Sequence, residues 1–510
     1  MRRNFLCGLM CCGMLSGLMS LLSSCGGGNS PTPNQPQEPS TTKFSGYFRK
    51  TNATIPAPAS VGTGLFSATE SINPTVNMTY PREAHTATAL PDGRILIAGG
   101  NTTRVNNPDF KLHNTAEIFD PESETFSLLA SSMSIPRTDH CATLLPNGIV
   151  LLLGGTDNQF PSSYVDLFDP SNGQFTATTV QDGNELPLSW GVCFTLPNNR
   201  VFVFGGAAVI NGQTDGALPQ VVDIQEWKAR PATLVGDSAL FKRLDFGSVQ
   251  LPDGRVVITG GMVDPYHQTT RVTSDIMIFD PADETMRVIG QMKEARAFHG
   301  SLVTPAGDIE VYGGAHFDTS STPQPVRLTS IERITPSGTS SKIGDLPDTR
   351  VVFTSAMLQN GRSLHVGGAG SDGMSTKTQI IFDENSRKSG YTGDMVEDRL
   401  KYSITPLKTG RILISGGSTS NFGIVSNTGE IFEPEANVYV FLPKTALAPG
   451  ESVQLTAEYN GTVTWTAKFG PVDQSGLYTA PTSPTEYFDE VTATAPTGAS
   501  ATGRISILIP

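Results

Sequence analysis

Along most of this chain, apolar runs of four or five residues alternate with clusters of turn residues, and helix-like periodicity is weak. Residues 86–90, the turn Pro91-Asp92-Gly93, residues 94–98 and the pair Gly99-Gly100 form one unit. Residues 141–145, Pro146-Asn147-Gly148, residues 149–153 and Gly154-Gly155 form the next. Pro-Asp-Gly and Pro-Asn-Gly are tight-turn signals, so each unit predicts a β-hairpin. The Gly-Gly pair ends the second strand, where the backbone must turn sharply or pack closely. It returns at Gly205-Gly206, Gly260-Gly261, Gly313-Gly314, Gly367-Gly368 and Gly416-Gly417, at intervals of 49 to 55 residues. A third strand follows a variable loop, clearest at 116–121 (Ala-Glu-Ile-Phe-Asp-Pro), 165–170, 277–281, 380–383 and 429–434. A short turn then leads to a fourth, as at 125–129 and 174–178. Four antiparallel strands repeated at a period near fifty predict an all-β chain of radially arranged sheets.

These motifs resemble bacterial kelch repeats, in the variant with Ile-Phe-Asp-Pro in the third strand and Pro-Asp-Gly-Arg before the second. The resemblance implies a seven-bladed kelch-type β-propeller over residues 44–434. The last repeat lacks a fourth strand of its own, and residues 64–69 carry the pattern to supply it, which would lock the ring and remove a sheet edge. Residues 44–61 have no place in that scheme. Residues 435–510 read differently. The stretches 438–442, 452–458, 462–467 and 491–495 alternate like sandwich strands. Leu447-Ala448-Pro449-Gly450, Val463-Thr464-Trp465 and Gly476-Leu477-Tyr478 resemble bacterial immunoglobulin-like domains, with Trp465 as the core tryptophan. Such modules act as spacers or adhesion units.

The first 25 residues read as an address. Arg2 and Arg3 precede an uncharged apolar run, and Leu22-Ser23-Ser24-Cys25 resembles the bacterial lipobox. Cys25 would then be lipidated and become the N-terminus, with residues 26–43 as a Gly/Pro/Ser-rich tether. The expected location is the cell envelope, lipid-anchored, at the outer membrane or cell surface. Cleavage would take the formal charge from −13 to −15, which argues against nucleic acid as a partner. Cys141 and Cys193 would be the remaining cysteines; they occupy first strands of neighbouring repeats and could be free thiols or a disulfide.

Loops after the Gly-Gly pairs are long and irregular, at 101–114, 207–220, 262–273 and 315–328, whereas hairpin turns are short. One face is therefore elaborated, and that face, around the channel, is where a ligand is expected. An arginine recurs at one repeat position: Arg82, Arg137, Arg243, Arg296, Arg350 and Arg399, with Leu188 in the third repeat. Three residues on stands His85, His140, Phe246, His299, Phe353 or Tyr402. These could form a basic collar for a carboxylated ligand, or tie blades together. Repetition favours the second, because a binding site needs asymmetry. Departures from the pattern are better ligand-binding candidates: Trp190, Asp139 and Lys401 beside the inter-blade links, with Lys242, and His113, Tyr266, His267, His316 and Phe317 in the long loops. Aromatic and polar groups together suit a sugar.

A kelch propeller followed by an immunoglobulin-like domain resembles the layout of galactose oxidases, which hold copper with two Tyr and two His, one His from the C-terminal domain. Here residues 435–510 contain no His, and Tyr266-His267 is the one Tyr-His pair. No cofactor and no metal are therefore expected. No zinc-type spacing, phosphate loop or Gly-x-Ser-x-Gly elbow is present, and no catalytic residue can be assigned. The leading expectation is a non-catalytic protein that binds a glycan or an envelope or surface protein. The alternative is a sugar oxidase or epimerase acting at the channel mouth.

Overall fold

The computed structural model describes residues 49–50, 77–102, 110–155, 163–182, 186, 189–210, 213–265, 271–317, 325–419, 424–434, 438–484 and 486–508. The signal-like segment, Cys25, the tether, residues 64–69, Tyr266 and His267 lie outside them. The described chain is almost entirely antiparallel β-sheet.

The first sheet takes its four strands in chain order, Thr86–Ala89, Ile95–Ala98, Ala116–Asp120 and Thr125–Leu128. The same order recurs in sheets whose first strands are Cys141–Leu144, Val192–Leu196, Gly247–Gln250, Gly300–Val303 and Thr354–Met357, and in the first three strands of the sheet that begins at Ser403–Pro406. Burial explains the sequence pattern. Second strands such as Val150–Leu153 and Ile412–Ser415 are buried at every position, because neighbouring sheets cover both faces. First strands such as Cys141–Leu144 alternate, since one side faces the channel, and the outer strand Gln174–Thr179 is largely exposed.

The Gly-Gly pairs are required where sheets meet. Gly99 and Gly100 both have positive φ, and a Cβ on Gly99 would press on the Arg137 carbonyl and the His140 ring. Gly416 meets the Arg82 carbonyl and the His85 ring in the same way, and the Gly417 N–H donates to Arg82 O at 2.8 Å. The last repeat therefore packs on the first as each repeat packs on the next.

Two features differ from expectation. The outer edge of Gly429–Phe432 is paired by Arg49–Lys50, from the stretch to which the sequence pattern assigned no role. The strand Tyr439–Phe441 does not stand apart in a sandwich of its own: it pairs with Lys388–Thr392 and so extends the sixth sheet. Gly390 permits this, because a Cβ there would press on the Val440 carbonyl. Beyond it, Ala446–Leu447, Thr464–Ala467, Phe488–Thr494 and Ser500–Ile507 form a further sheet. Trp465 and Tyr478 are buried in a core continuous with Tyr312, Phe353 and Phe382 of the fifth and sixth repeats. Cys141 and Cys193 are disulfide-bonded across the second and third sheets, with Cα atoms 5.8 Å apart.

Candidate functional site

The six repeated arginines are fully buried and unavailable to any ligand. Each sends Nη1 to the carbonyl of the first glycine of its own repeat's pair: Arg82 to Gly99 at 2.7 Å, Arg137 to Gly154 at 2.6 Å, Arg243 to Gly260 at 3.0 Å, Arg296 to Gly313 at 2.8 Å, Arg350 to Gly367 at 3.3 Å and Arg399 to Gly416 at 2.5 Å. Five of them also pair with a carboxylate on or beside the third strand, Glu117, Asp166, Asp275, Glu332 and Glu430; Arg350 uses the Thr378 hydroxyl instead. The arginine carbonyl meanwhile accepts from the preceding repeat's second glycine, as Arg137 O does from Gly100 N at 2.7 Å. The arginines are staples, not a basic collar.

The rings three residues on pack between repeats. His85 Nε2 lies 3.0 Å from Ser415 Oγ, His140 Nε2 lies 2.9 Å from Thr86 Oγ1 and His299 Nε2 lies 2.8 Å from Thr259 Oγ1. Burial, reinforced by the nearby arginine charge, pushes all three imidazoles down to about 3, so they are neutral. His85 lines a small cavity of about 30 Å³ with Thr86, Thr88, Cys141, Cys193, Thr354, Tyr402 and Ser403, and with Ala87, Ala142, Val192, Phe194 and Ile404. This stretch of wall is mixed polar and apolar and carries no charge.

Between the arginine and the ring lies a position the repeat alignment did not single out. Ala84, Asp139, Trp190, Asp245, Phe298, Val352 and Lys401 all have φ between +50° and +62°: 52°, 52°, 61°, 55°, 59°, 55° and 53°. A left-handed conformation costs a non-glycine residue about 1–2 kcal/mol. It is held here by hydrogen bonds that pass from repeat to repeat: Ala84 N to Lys401 O at 2.9 Å, Asp139 N to Ala84 O at 3.0 Å, Trp190 N to Asp139 O at 3.0 Å, Phe298 N to Asp245 O at 2.9 Å and Val352 N to Phe298 O at 3.0 Å. These peptide groups form a collar linking the repeats. Antiparallel bridges tie it to the loops after the Gly-Gly pairs, as Glu83 to Asn101, Ser189 to Ala207 and Leu400 to Ser418, so collar and long loops share one face.

The collar is uneven. Ala84, Phe298 and Val352 are buried, whereas Asp139, Trp190, Asp245 and Lys401 are half-buried. Trp190 packs on an apolar cluster of Leu244, Phe298, Val351, Val352 and Leu400. Burial pushes the Asp139 carboxyl up to about 6; Lys401 opposes this and Glu83 adds to it, while Trp190 and Thr138 lower it. Burial alone lifts Asp245 well above the usual carboxylate range. The Asp139 carboxyl and the Trp190 N–H face each other, and this contact is among those that lower the carboxyl.

The structure thus brings together three of the sequence candidates, Asp139, Trp190 and Lys401. It places the other candidates as follows. His113 is buried against Tyr80, ring centroids 5.2 Å apart, with Nε2 3.2 Å from Pro81 O, and burial lowers it to about 4; it packs a loop. Lys242 pairs with Asp215 at 2.5 Å. His316 and Phe317 sit half-buried on the hairpin Ala315–Phe317 with Pro325–Arg327, where His316 Nδ1 lies 3.1 Å from Phe317 O. Asp245 and Phe298 were missed, although each stands two residues after a repeated arginine, where Asp139 and Lys401 stand.

No family model matches the chain. A galactose oxidase of Gibberella zeae is 23% identical over 396 residues, which covers 71% of this chain and 52% of that protein. A second galactose oxidase of Gibberella zeae is 23% identical over 282 residues, 49% of this chain and 40% of its own. The chain spans about half the length, or less, of the curated relatives it matches. Among solved structures, a fungal alcohol oxidase of the AA5 family, in complex with copper, aligns with a TM-score of 0.54 at 14% identity over 85% of this chain and 98% of that one. The fold is therefore a galactose oxidase-like β-propeller. At that identity the structural likeness speaks to fold alone.

Proposed function

We propose that this chain is a lipid-anchored envelope or surface protein whose propeller, read as seven-bladed, binds a carbohydrate through the collar face without catalysis. In this reading the C-terminal unit is an immunoglobulin-like spacer and Cys25 is the lipidated residue. The observation that carries the proposal is the collar: one strained backbone position repeated in seven sheets, with six different side chains, aspartate alone occurring twice. Trp190 offers an indole and Asp139 a carboxyl, the mixture a sugar ring and its hydroxyls can use.

Copper, named for the fungal alcohol oxidase, does not suit the side chains placed at the collar. They supply no imidazole and no phenol, and His85, His140 and His299 are enclosed with Nε2 engaged by hydroxyls. The proposal therefore includes no copper. A carbohydrate-active enzyme is the second reading; what favours it is the pair Asp139 and Asp245, which burial keeps protonated at higher pH than ordinary carboxyls.

A glycan array probed with the full chain in detergent tests the proposal. Binding to a defined glycan that Trp190→Ala abolishes is the expected result. Silence on every glycan, with capture of an envelope protein, would replace the sugar by a protein ligand. Stoichiometric copper in the purified protein would restore the oxidase reading.

A further inference from the structure

The seam between the fifth and sixth sheets holds a chain of polar side chains far from the collar's chemistry. Glu310 and Tyr312 stand on the second strand of the fifth sheet, Ile309–Tyr312, and Arg333 on its third, Ser330–Ile334. Ser355 stands on the first strand of the sixth sheet, Ser363 and His365 on its second, Arg362–Val366, and Glu384 directly follows its third, Gln379–Asp383. Glu310, Tyr312, Ser363 and His365 are buried. As a carboxylate Glu310 only accepts, which sets the direction of the chain. The Tyr312 hydroxyl donates to Glu310 Oε2, and burial beside that carboxylate holds the phenol well above its usual range. The Tyr312 oxygen accepts from Ser363, Ser363 Oγ lies 3.0 Å from His365 Nε2, and His365 Nδ1 lies 2.9 Å from Ser355 Oγ. Every donor therefore points towards Glu310, which assigns the His365 proton to Nε2. Burial and the Arg350 charge push this imidazole down to about 3, so it is neutral.

Arg333 closes the other side. Its Nε and Nη2 donate to Glu310 Oε1 at 2.9 and 2.6 Å, and the same Nη2 donates to Glu384. One guanidinium thus holds two carboxyls, and the Glu384 carboxyl meets that of Glu310 directly. Two adjoining carboxyls repel if both ionise, and the Tyr312 and Arg333 donors select Glu310 as the ionised one. We infer that Glu384 keeps the proton and donates it to Glu310, so that this seam is a pH-sensitive latch, closed while the two carboxyls share one proton and loosened when alkaline conditions release it to solvent. Burial is the largest cause pushing Glu384 up, to about 8; the contact with Glu310 and its charge add to this, while Arg333 and Arg387 oppose it. Asp308 also faces Arg333. The latch lies where the propeller meets the C-terminal unit, since Tyr312 shares its apolar core with Trp465 and Tyr478.

The test joins infrared spectroscopy to urea unfolding, both on the full chain in detergent. Protonated and ionised carboxyls absorb apart, so the difference spectrum between the wild type and Glu384→Gln at pH 6 should contain one protonated carboxyl. In the wild type that signal should fade as pH passes about 8. The unfolded chain releases the Glu384 proton first, near the ordinary value of 4.5, so the wild type should lose stability as pH rises from there to about 8 and stay lower above it. Glutamine keeps a donor for Glu310 and an acceptor for Arg333. The unfolding equilibrium constant of Glu384→Gln should therefore match the wild type at pH 4 and be at least about tenfold smaller at pH 9. Glu310→Gln removes the charge that Tyr312 and Arg333 address, and should lower the urea midpoint at both pH values. A difference spectrum without a protonated carboxyl, or an equal fall with pH in the wild type and Glu384→Gln, would overturn the latch. Failure of Glu384→Gln to fold would overturn it too, since glutamine copies the protonated acid.

Discussion

Two rings of residues run round this propeller only two positions apart in sequence, and they behave in opposite ways. The arginine ring keeps one side chain in six repeats, buries it completely and gives every guanidinium a carbonyl and nearly always a carboxylate. The collar keeps one backbone conformation and varies the side chain, with six residue types at seven positions. The first ring builds the wheel; the second uses the built wheel to present unlike groups at one place. Repetition of a side chain marks scaffold here, and repetition of a strained backbone with varied side chains marks the place where specificity can reside.

The largest effect should come from breaking the first ring. Arg137→Ala leaves Asp166 buried without its partner and the Gly154 carbonyl without a donor, and should cost about 3–5 kcal/mol in urea unfolding. Replacing Arg137 and Asp166 together by Met and Leu should cost much less, since no charge is then stranded. The disulfide between the second and third sheets comes next. Cys141→Ser with Cys193→Ser should lower stability by about 2–4 kcal/mol under non-reducing conditions, and a reductant should then have no further effect.

The collar should respond with the opposite sign. The folded Asp139 holds its proton up to about pH 6, against an ordinary carboxyl near 3.8. As pH rises from about 4 to 6, the unfolded chain releases that proton first, so the native protein loses stability over this window and stays at the lower level above it. Asp139→Asn removes the penalty. It should stabilise by on the order of 2 kcal/mol at pH 7.5 and by almost nothing at pH 4, read from denaturation midpoints at the two pH values. The smallest change is Lys401→Gly: a half-buried residue at φ +53°, with no salt bridge among the described residues, should yield about 1 kcal/mol of stability on becoming glycine at pH 4, where Asp139 is protonated and the Lys401 charge has no carboxylate to act on. Destabilisation by Asp139→Asn at pH 7.5 and by Lys401→Gly at pH 4 would erase the contrast between the rings.

Most of the wheel was legible because its physics is local and repeated. Pro-Asp-Gly turns, buried second strands and Gly-Gly pairs are each written into the sequence that needs them. Repetition also identified the arginines as structural, although the bonds they make inside their own repeats were not foreseen. The collar was only half legible. Asp139, Trp190 and Lys401 stood out as departures, but Asp245 looked like an ordinary loop aspartate, since φ leaves no mark in a residue's identity unless glycine or asparagine occupies the place. Long-range pairings were least legible. Nothing in Arg49–Lys50 or Tyr439–Phe441 names the sheet edge each one covers. His113 misled because a loop histidine reads as available until its neighbours, here Tyr80 and Pro81, are seen around it.

Each arginine carbonyl receives an amide from the repeat before it, while the same residue's guanidinium serves its own repeat. The six modules that carry the arginine are therefore not finished in isolation; each takes part of its fittings from the module upstream. Deleting or duplicating a single module would not shorten or lengthen an array, as it can in an open solenoid. It would change the circumference of a closed hoop and the angle at every joint, so such a chain can diverge freely in what its modules display but not in how many it carries.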